Sequence, residues 1–176
     1  MELIRGLHNL RPEHRGCAVT IGNFDGVHRG HQAVLAHLAG HAHALGVPAL
    51  VMLFEPQPAE YFQSAAAPAR LMRLREKIEV LRTQPVERVL CLRFDAALAR
   101  LEPEQFIDEV LVRALAAKYV VVGDDFRFGR ARRGDMAMLR AAGARHGFEV
   151  ASMPTFDVGG ERVSSTRARQ ALARGD

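Results

Sequence analysis

His28 and His31, three residues apart, are the side chains of this sequence best suited to chemistry. They close the stretch Gly22-Asn23-Phe24-Asp25-Gly26-Val27-His28-Arg29-Gly30-His31. At i and i+3 they share one face of a helix that begins there. The first turn of a helix leaves backbone N–H groups unpaired, and its dipole favours negative charge. Imidazoles bind phosphate oxygens either as neutral donors or as cations. The glycines let the backbone turn tightly into the helix. The stretch is therefore a candidate phosphate site. A metal centre fits less well: His37 and His41 also share a helix face, but no cysteine or carboxylate cluster completes a ligand set. His37, His41 and His43 read as solvated helix residues.

Three further segments carry unusual residues. Phe54-Glu-Pro-Gln-Pro58, followed by Tyr61-Phe62, is stiffened by two prolines. It forms either a wall for a flat ligand or a rigid turn over core aromatics. Gly123-Asp-Asp-Phe-Arg-Phe-Gly129 places two phenylalanines, two acids and an arginine at a strand end. Apolar side chains there cover an aromatic ring, and Asp125 suits a hydroxyl or amino group. Arg130, Arg132 and Arg133 beyond it read as solvated, with phosphate contact the alternative. In Val163-Ser-Ser-Thr-Arg-Ala-Arg169, Ser164, Ser165 or Thr166 caps the last helix. Cations are unfavourable at a helix N-terminus, so Arg167 and Arg169 point to a bound anion.

The elements that position these segments alternate. Strand patterns cover Cys17–Ile21, Val47–Phe54, Val86–Phe94, Tyr119–Gly123 and Phe148–Met153. Helical patterns cover Gln32–Leu45, Leu71–Leu81, Pro103–Ala117, Gly134–His146 and Ser165–Arg174. Glu55 to Pro68 reads as a loop with room for a helical turn near Tyr61. Asp157 to Val163 reads as a hairpin around Gly159-Gly160. Five strands alternating with helices predict an α/β fold, a Rossmann-like doubly wound parallel sheet. Ligands of such sheets bind beyond the carboxyl ends of the strands, where strand order reverses. One domain is expected over residues 1–176, with a small hairpin and helix subregion at about 154–176.

Composition sets outer bounds. With 48% apolar and 25% charged residues, the chain has the make-up of a water-soluble globular protein. No apolar run approaches the ~20 residues of a membrane span, and Met1-Glu-Leu-Ile-Arg-Gly lacks a signal-peptide core. A cytoplasmic protein without membrane partners is expected. Cys17 and Cys91 fall within strands and read as reduced, buried thiols. All but two of the 24 basic residues are arginine, and the net charge is +4, which suits anionic ligands.

Taken together, these segments resemble a known family. Gly-x-Phe-Asp-Gly-x-His-x-Gly-His and Ser-Ser-Thr-x-x-Arg resemble the nucleotidylyltransferases of the His-x-Gly-His type. Phe-Glu-Pro-x-Pro and Gly-Asp-Asp-Phe-Arg-Phe-Gly narrow the likeness to the FMN adenylyltransferase (FAD synthetase) module of bacterial bifunctional riboflavin kinase/FAD synthetases, over about residues 1–174. The resemblance implies transfer of AMP from ATP to FMN, giving FAD and pyrophosphate, with Mg²⁺ accompanying ATP and no protein metal cage. It implies that His28 and His31 bind the phosphates and stabilise the transition state, with Asp125 and Arg169 as further catalytic residues. Gly22, Phe24, Asp25, Gly30, Arg162, Ser164, Ser165 and Thr166 would bind ATP and its phosphates. Pro56, Pro58, Phe62, Phe106 and Phe128 are candidates for the flavin pocket. Met72 and Arg73 stand where the family commonly has small hydroxyl residues, before Glu76-Lys77. The family normally carries a riboflavin kinase domain with a Pro-Thr-Ala-Asn motif. Nothing here resembles it, so an excised module or single-domain relative without kinase activity is expected. The competing readings are a transferase for another acceptor such as a pantetheine or nicotinamide phosphate, a non-catalytic flavin-nucleotide module, and a nucleic-acid binder. Nucleic acid is not the expected partner.

Overall fold

Cys17, Val19, Ile21, Leu50, Met52, Val120 and Val122 belong to one buried cluster, whereas Ala18, Val51, Leu53, Tyr119 and Val121 belong to another. Successive side chains of a strand point to opposite faces, so these runs are covered on both sides, as a parallel sheet requires. The computed structural model describes the chain apart from Thr155, Gly159 and Gly160 and the side chains of residues 157, 158, 161 and 162. Its main sheet has six parallel strands rather than the five expected. These are β1 (Glu2–Arg5), β2 (Ala18–Ile21), β3 (Ala49–Glu55), β4 (Arg88–Arg93), β5 (Tyr119–Gly123) and β6 (Glu149–Met153), in the order β1-β4-β3-β2-β5-β6. The extra strand is β1, which pairs with β4 through Ile4 and Leu90. It has four residues, of which only Ile4 is buried, so it shows too little alternation to be read from sequence.

Helices cover both faces. α1 (Arg29–Leu45) buries Leu35, Leu38 and Ala42, a stripe at i, i+3 and i+7. Burying each leucine stabilises the packing by about 1.5–3 kcal/mol. Gly46, at φ 65°, ends the helix in the left-handed conformation. α2 (Pro58–Gln63) lies inside the segment read as a loop, and α3 (Leu74–Arg82) starts three residues later than the pattern suggests. Leu71 and Met72 stay outside α3 because their N–H groups donate to the Asp25 carboxylate. α4 (Ala96–Arg100) is a short helix capped by Asp95. α5 (Pro103–Gln105) runs into a π-helical stretch, Phe106–Ala114, where Leu115 N–H donates to the Val110 carbonyl at 3.0 Å. α6 (Met136–His146) and α7 (Ser165–Arg174) complete the set. The backbones of β7 (Asp157–Val158) and β8 (Glu161–Arg162) pair antiparallel; the Gly159-Gly160 turn expected between them lies outside the described residues. No helix among the described residues is long and apolar enough to cross a membrane.

β2 pairs with β3 on one side and with β5 on the other. The chain fills one half of the sheet, then crosses to β5 and β6. The carboxyl ends of β2 and β5 therefore flank the point where strand order reverses.

Candidate functional site

A cavity of about 250 Å³ opens at that point. Gly22, Phe24, His28, Gly30 and His31 line it from the turn after β2 and the start of α1. Gly123, Asp124, Asp125 and Phe126 line it from the end of β5, and Met153, Pro154, Phe156 and Val163 close the far side.

The two histidines form a stacked pair, with ring centroids 3.7 Å apart and planes 17° from parallel. His28 is the N-cap of α1, and its Nδ1 accepts the His31 N–H at 3.3 Å. An accepting Nδ1 leaves the proton of the neutral ring on Nε2. Burial lowers the His28 pKa. Burial, then the neighbouring His28 and Lys77, lower that of His31 to about 3 against the attraction of Asp25. The His31 Nδ1 is buried and has no hydrogen-bond partner among the described residues. A buried polar atom without a partner is costly.

Neutral His31 has a consequence for stability. The unfolded chain protonates this ring near pH 6.5, the folded protein only near 3. The unfolded state therefore binds more protons between these values. The stabilisation is whole above pH 6.5 and is lost as pH falls towards 3. From pH 7 to pH 5 the loss is on the order of 2 kcal/mol. Urea midpoints at the two pH values measure it, and His31→Gln is expected to flatten the dependence.

Asp25 lies beneath the turn, with only 2% of its surface exposed. Its carboxylate accepts the N–H groups of Leu71 (3.0 Å) and Met72 (3.1 Å) and a bond from Arg169 Nη2 at 2.6 Å. Burial pushes its pKa up, but these donors outweigh burial and hold it below the usual carboxylate value. Arg169 also donates from Nε to the Ala69 carbonyl at 2.5 Å. Ser164 caps α7, accepting the Arg167 N–H at 3.2 Å, and Ser165 Oγ donates to the Asp25 carbonyl at 2.7 Å. The start of α7 is thus tied to the turn after β2. Thr166 is exposed beside it. The side chain of Arg162 lies outside the described residues.

The turn is strained as well as clamped. Phe24 and Val27 have φ of 47° and 37°, a region bulky residues seldom occupy. Gly26 has φ +86°, and a Cβ there would lie 2.9 Å from Leu71 Cδ1. Gly26→Ala is expected to cost about 1–3 kcal/mol, read as a lower urea midpoint at unchanged slope.

The flavin-pocket candidates do not gather in this cavity. Phe106 and Phe128 are buried in the core, 5.8 Å apart. Phe62 is 63% exposed on α2, edge-on to Tyr61 and Phe94. Pro56 follows a cis peptide, and Pro58 is the first residue of α2. The cavity wall carries Phe126 instead, stacked on Phe128 with centroids 5.6 Å apart. Lys77 was not singled out by its sequence position. It is 1% exposed, and its Nζ donates to the Asn23 carbonyl at 2.5 Å. Its signal was its place among Leu74, Ile78 and Leu81 on the apolar face of α3. Among the described residues, no three His, Cys, Asp or Glu side chains gather as a metal site.

A doubly wound parallel sheet with a His-x-Gly-His pair at the switch point and a second capped helix beside it defines the nucleotidylyltransferase class of fold. Residues 10–167 match the FAD synthetase family, and the chain belongs to it. It is 53% identical over 176 residues to the bifunctional riboflavin kinase/FMN adenylyltransferase of Pseudomonas fluorescens, covering 100% of this chain and 56% of that protein. It is 53% identical over 174 residues to the protein of the same name from Escherichia coli K12, covering 98% and 56%. The chain thus spans little more than half the length of these curated relatives. Among solved structures it is similar to one described as a macrolide-efflux protein from Streptococcus pneumoniae, with TM-score 0.81, 25% identity, and 98% of this chain and 57% of that one covered. A pantoate-beta-alanine ligase from Francisella tularensis shares the fold, with TM-score 0.60 at 12% identity over 96% of this chain and 72% of that one.

Proposed function

We propose that this chain is an FMN adenylyltransferase, transferring AMP from ATP to FMN to give FAD and pyrophosphate. The observation that carries the reading is the stacked His28–His31 pair at the switch-point cavity, in a chain of the FAD synthetase family. A phosphate oxygen of FMN is already anionic and needs no general base. It attacks the α-phosphorus of ATP; the new P–O bond forms as the bond to the β-phosphate oxygen breaks, and pyrophosphate leaves. The protein's task is to hold two polyanions in line and to stabilise charge gathering at the α-phosphate. His28 Nε2–H, His31 and the first-turn N–H groups of α1 supply donors, and the start of α7 supplies a second anion site.

Mg²⁺ bound with ATP would supply charge neutralisation for the leaving pyrophosphate. Among the described residues Asp124 and Asp125 bring carboxylates to the cavity lining and would orient the waters of that ion. Phe126, at the end of β5, supplies the apolar wall for the flavin ring. The purified chain with ATP, Mg²⁺ and FMN is expected to yield FAD and pyrophosphate in equal amounts. Flavin binding without pyrophosphate release would sink the catalytic reading, and turnover only with another phosphate acceptor would sink the assignment to FMN.

A further inference from the structure

Lys77 is a buried ammonium that touches none of the reacting groups in the chemistry above. Taking a charge out of water is expensive unless it is paired or hydrogen-bonded. The Lys77 ammonium makes one hydrogen bond among the described residues, to the backbone carbonyl of Asn23 in the phosphate turn. The Asn23–Phe24 peptide is trans, so its N–H points opposite to its carbonyl. The Phe24 N–H, on the side away from Lys77, donates to no group among the described residues. Phe24 itself lines the cavity. Its left-handed conformation, at φ 47°, is of the kind that builds anion-binding concavities from successive N–H groups. Such strain persists only where its surroundings over-determine it.

We propose that Lys77 is a positioning residue of the phosphate site: from beneath the turn its ammonium holds the Asn23 carbonyl and so fixes the Phe24 N–H as a donor to a phosphate oxygen. The inference rests on reading this cavity as a polyphosphate site, and it adds a residue that never touches the ligand. Removing Lys77 leaves the Asn23–Phe24 peptide free to turn over, which withdraws the donor.

The test uses inorganic tripolyphosphate, so that it does not depend on turnover. Lys77→Met keeps the apolar stem and removes the ammonium. Its affinity for tripolyphosphate is expected to fall about tenfold, the weight of one charge-assisted hydrogen bond, with FMN affinity within about twofold. In the wild-type protein the Phe24 amide proton is expected to move downfield on adding tripolyphosphate, and to stay put in the variant. A folded Lys77→Met protein that binds tripolyphosphate like wild type overturns the proposal. So does a wild-type Phe24 amide that does not respond, which decides the matter even if the variant fails to fold. If the wild type makes no FAD yet its Phe24 amide responds and the variant's does not, the adenylyltransferase reading falls and the role of Lys77 stands.

Discussion

His28→Ala is expected to lower the rate of FAD formation by about 10²–10³-fold, the cost of removing one preorganised donor from a developing oxyanion. The ring lies at the cavity with its Nδ1 occupied by the His31 N–H, so Nε2–H is its donor to a ligand. Burial lowers its pKa, and stacking at 3.7 Å on His31 disfavours two charges side by side. Both rings are therefore neutral at pH 7. His28 is also the N-cap of α1, and loss of a cap costs about 1 kcal/mol. His28→Asn separates the two roles. Asparagine caps well but is too short to replace Nε2–H, so both variants are expected to lose the rate and only alanine the stability. Steady-state FAD formation and thermal unfolding of the two proteins check this. Wild-type turnover by a folded His28→Ala protein would remove the histidine from the mechanism.

Much of this site was legible in the sequence because its parts are local. The strand, glycine turn and His-x-Gly-His lie within fifteen residues, and the Ser164 cap is read from its immediate successors. The doubly wound sheet followed from continuous β-branched runs such as Tyr119–Gly123. What escaped was short or long-range. β1 is an edge strand of four residues whose partner, β4, lies more than eighty residues away. Leu71 has the spacing of α3 but not its conformation, because its N–H is claimed by Asp25, 46 positions away. The motif resemblance put Asp25 in the turn after the first strand; its place under that turn depends on Arg169, 144 positions on. The flavin candidates show the same limit. Phe106 and Phe128 pack on each other in the core, while Phe126, two residues away, lines the cavity.

Asp25→Ala is expected to be the most destabilising substitution in the site, at about 3–5 kcal/mol, the range for breaking a buried charge pair. Three donors lose their acceptor at once: the Leu71 and Met72 N–H groups and Arg169. In a domain of this size that loss is roughly a 6–20 °C fall in Tm. Asp25→Asn keeps one acceptor oxygen and is expected to lose less. The effect of Asp25→Asn should also depend on pH. The carboxyl pKa is held below its ordinary value, so its contribution is whole above the unfolded pKa near 4 and is lost as pH falls through the folded value. The gap between wild type and Asp25→Asn should therefore hold from pH 7 down to about 4 and close below it. Arg169→Ala supplies the cross-check. If Asp25 and Arg169 act as one clamp, the double variant should be more stable than the sum of the single losses predicts. Strict additivity would mean that the 2.6 Å contact carries no coupling. Because Arg169 also holds the Ala69 carbonyl, release of this clamp frees the Ala69–Met72 strap from both the turn and α7. Activity should then fall further than stability alone accounts for, through a weaker grip on ATP, measured as a rise in KM for ATP at temperatures where the variant is still folded.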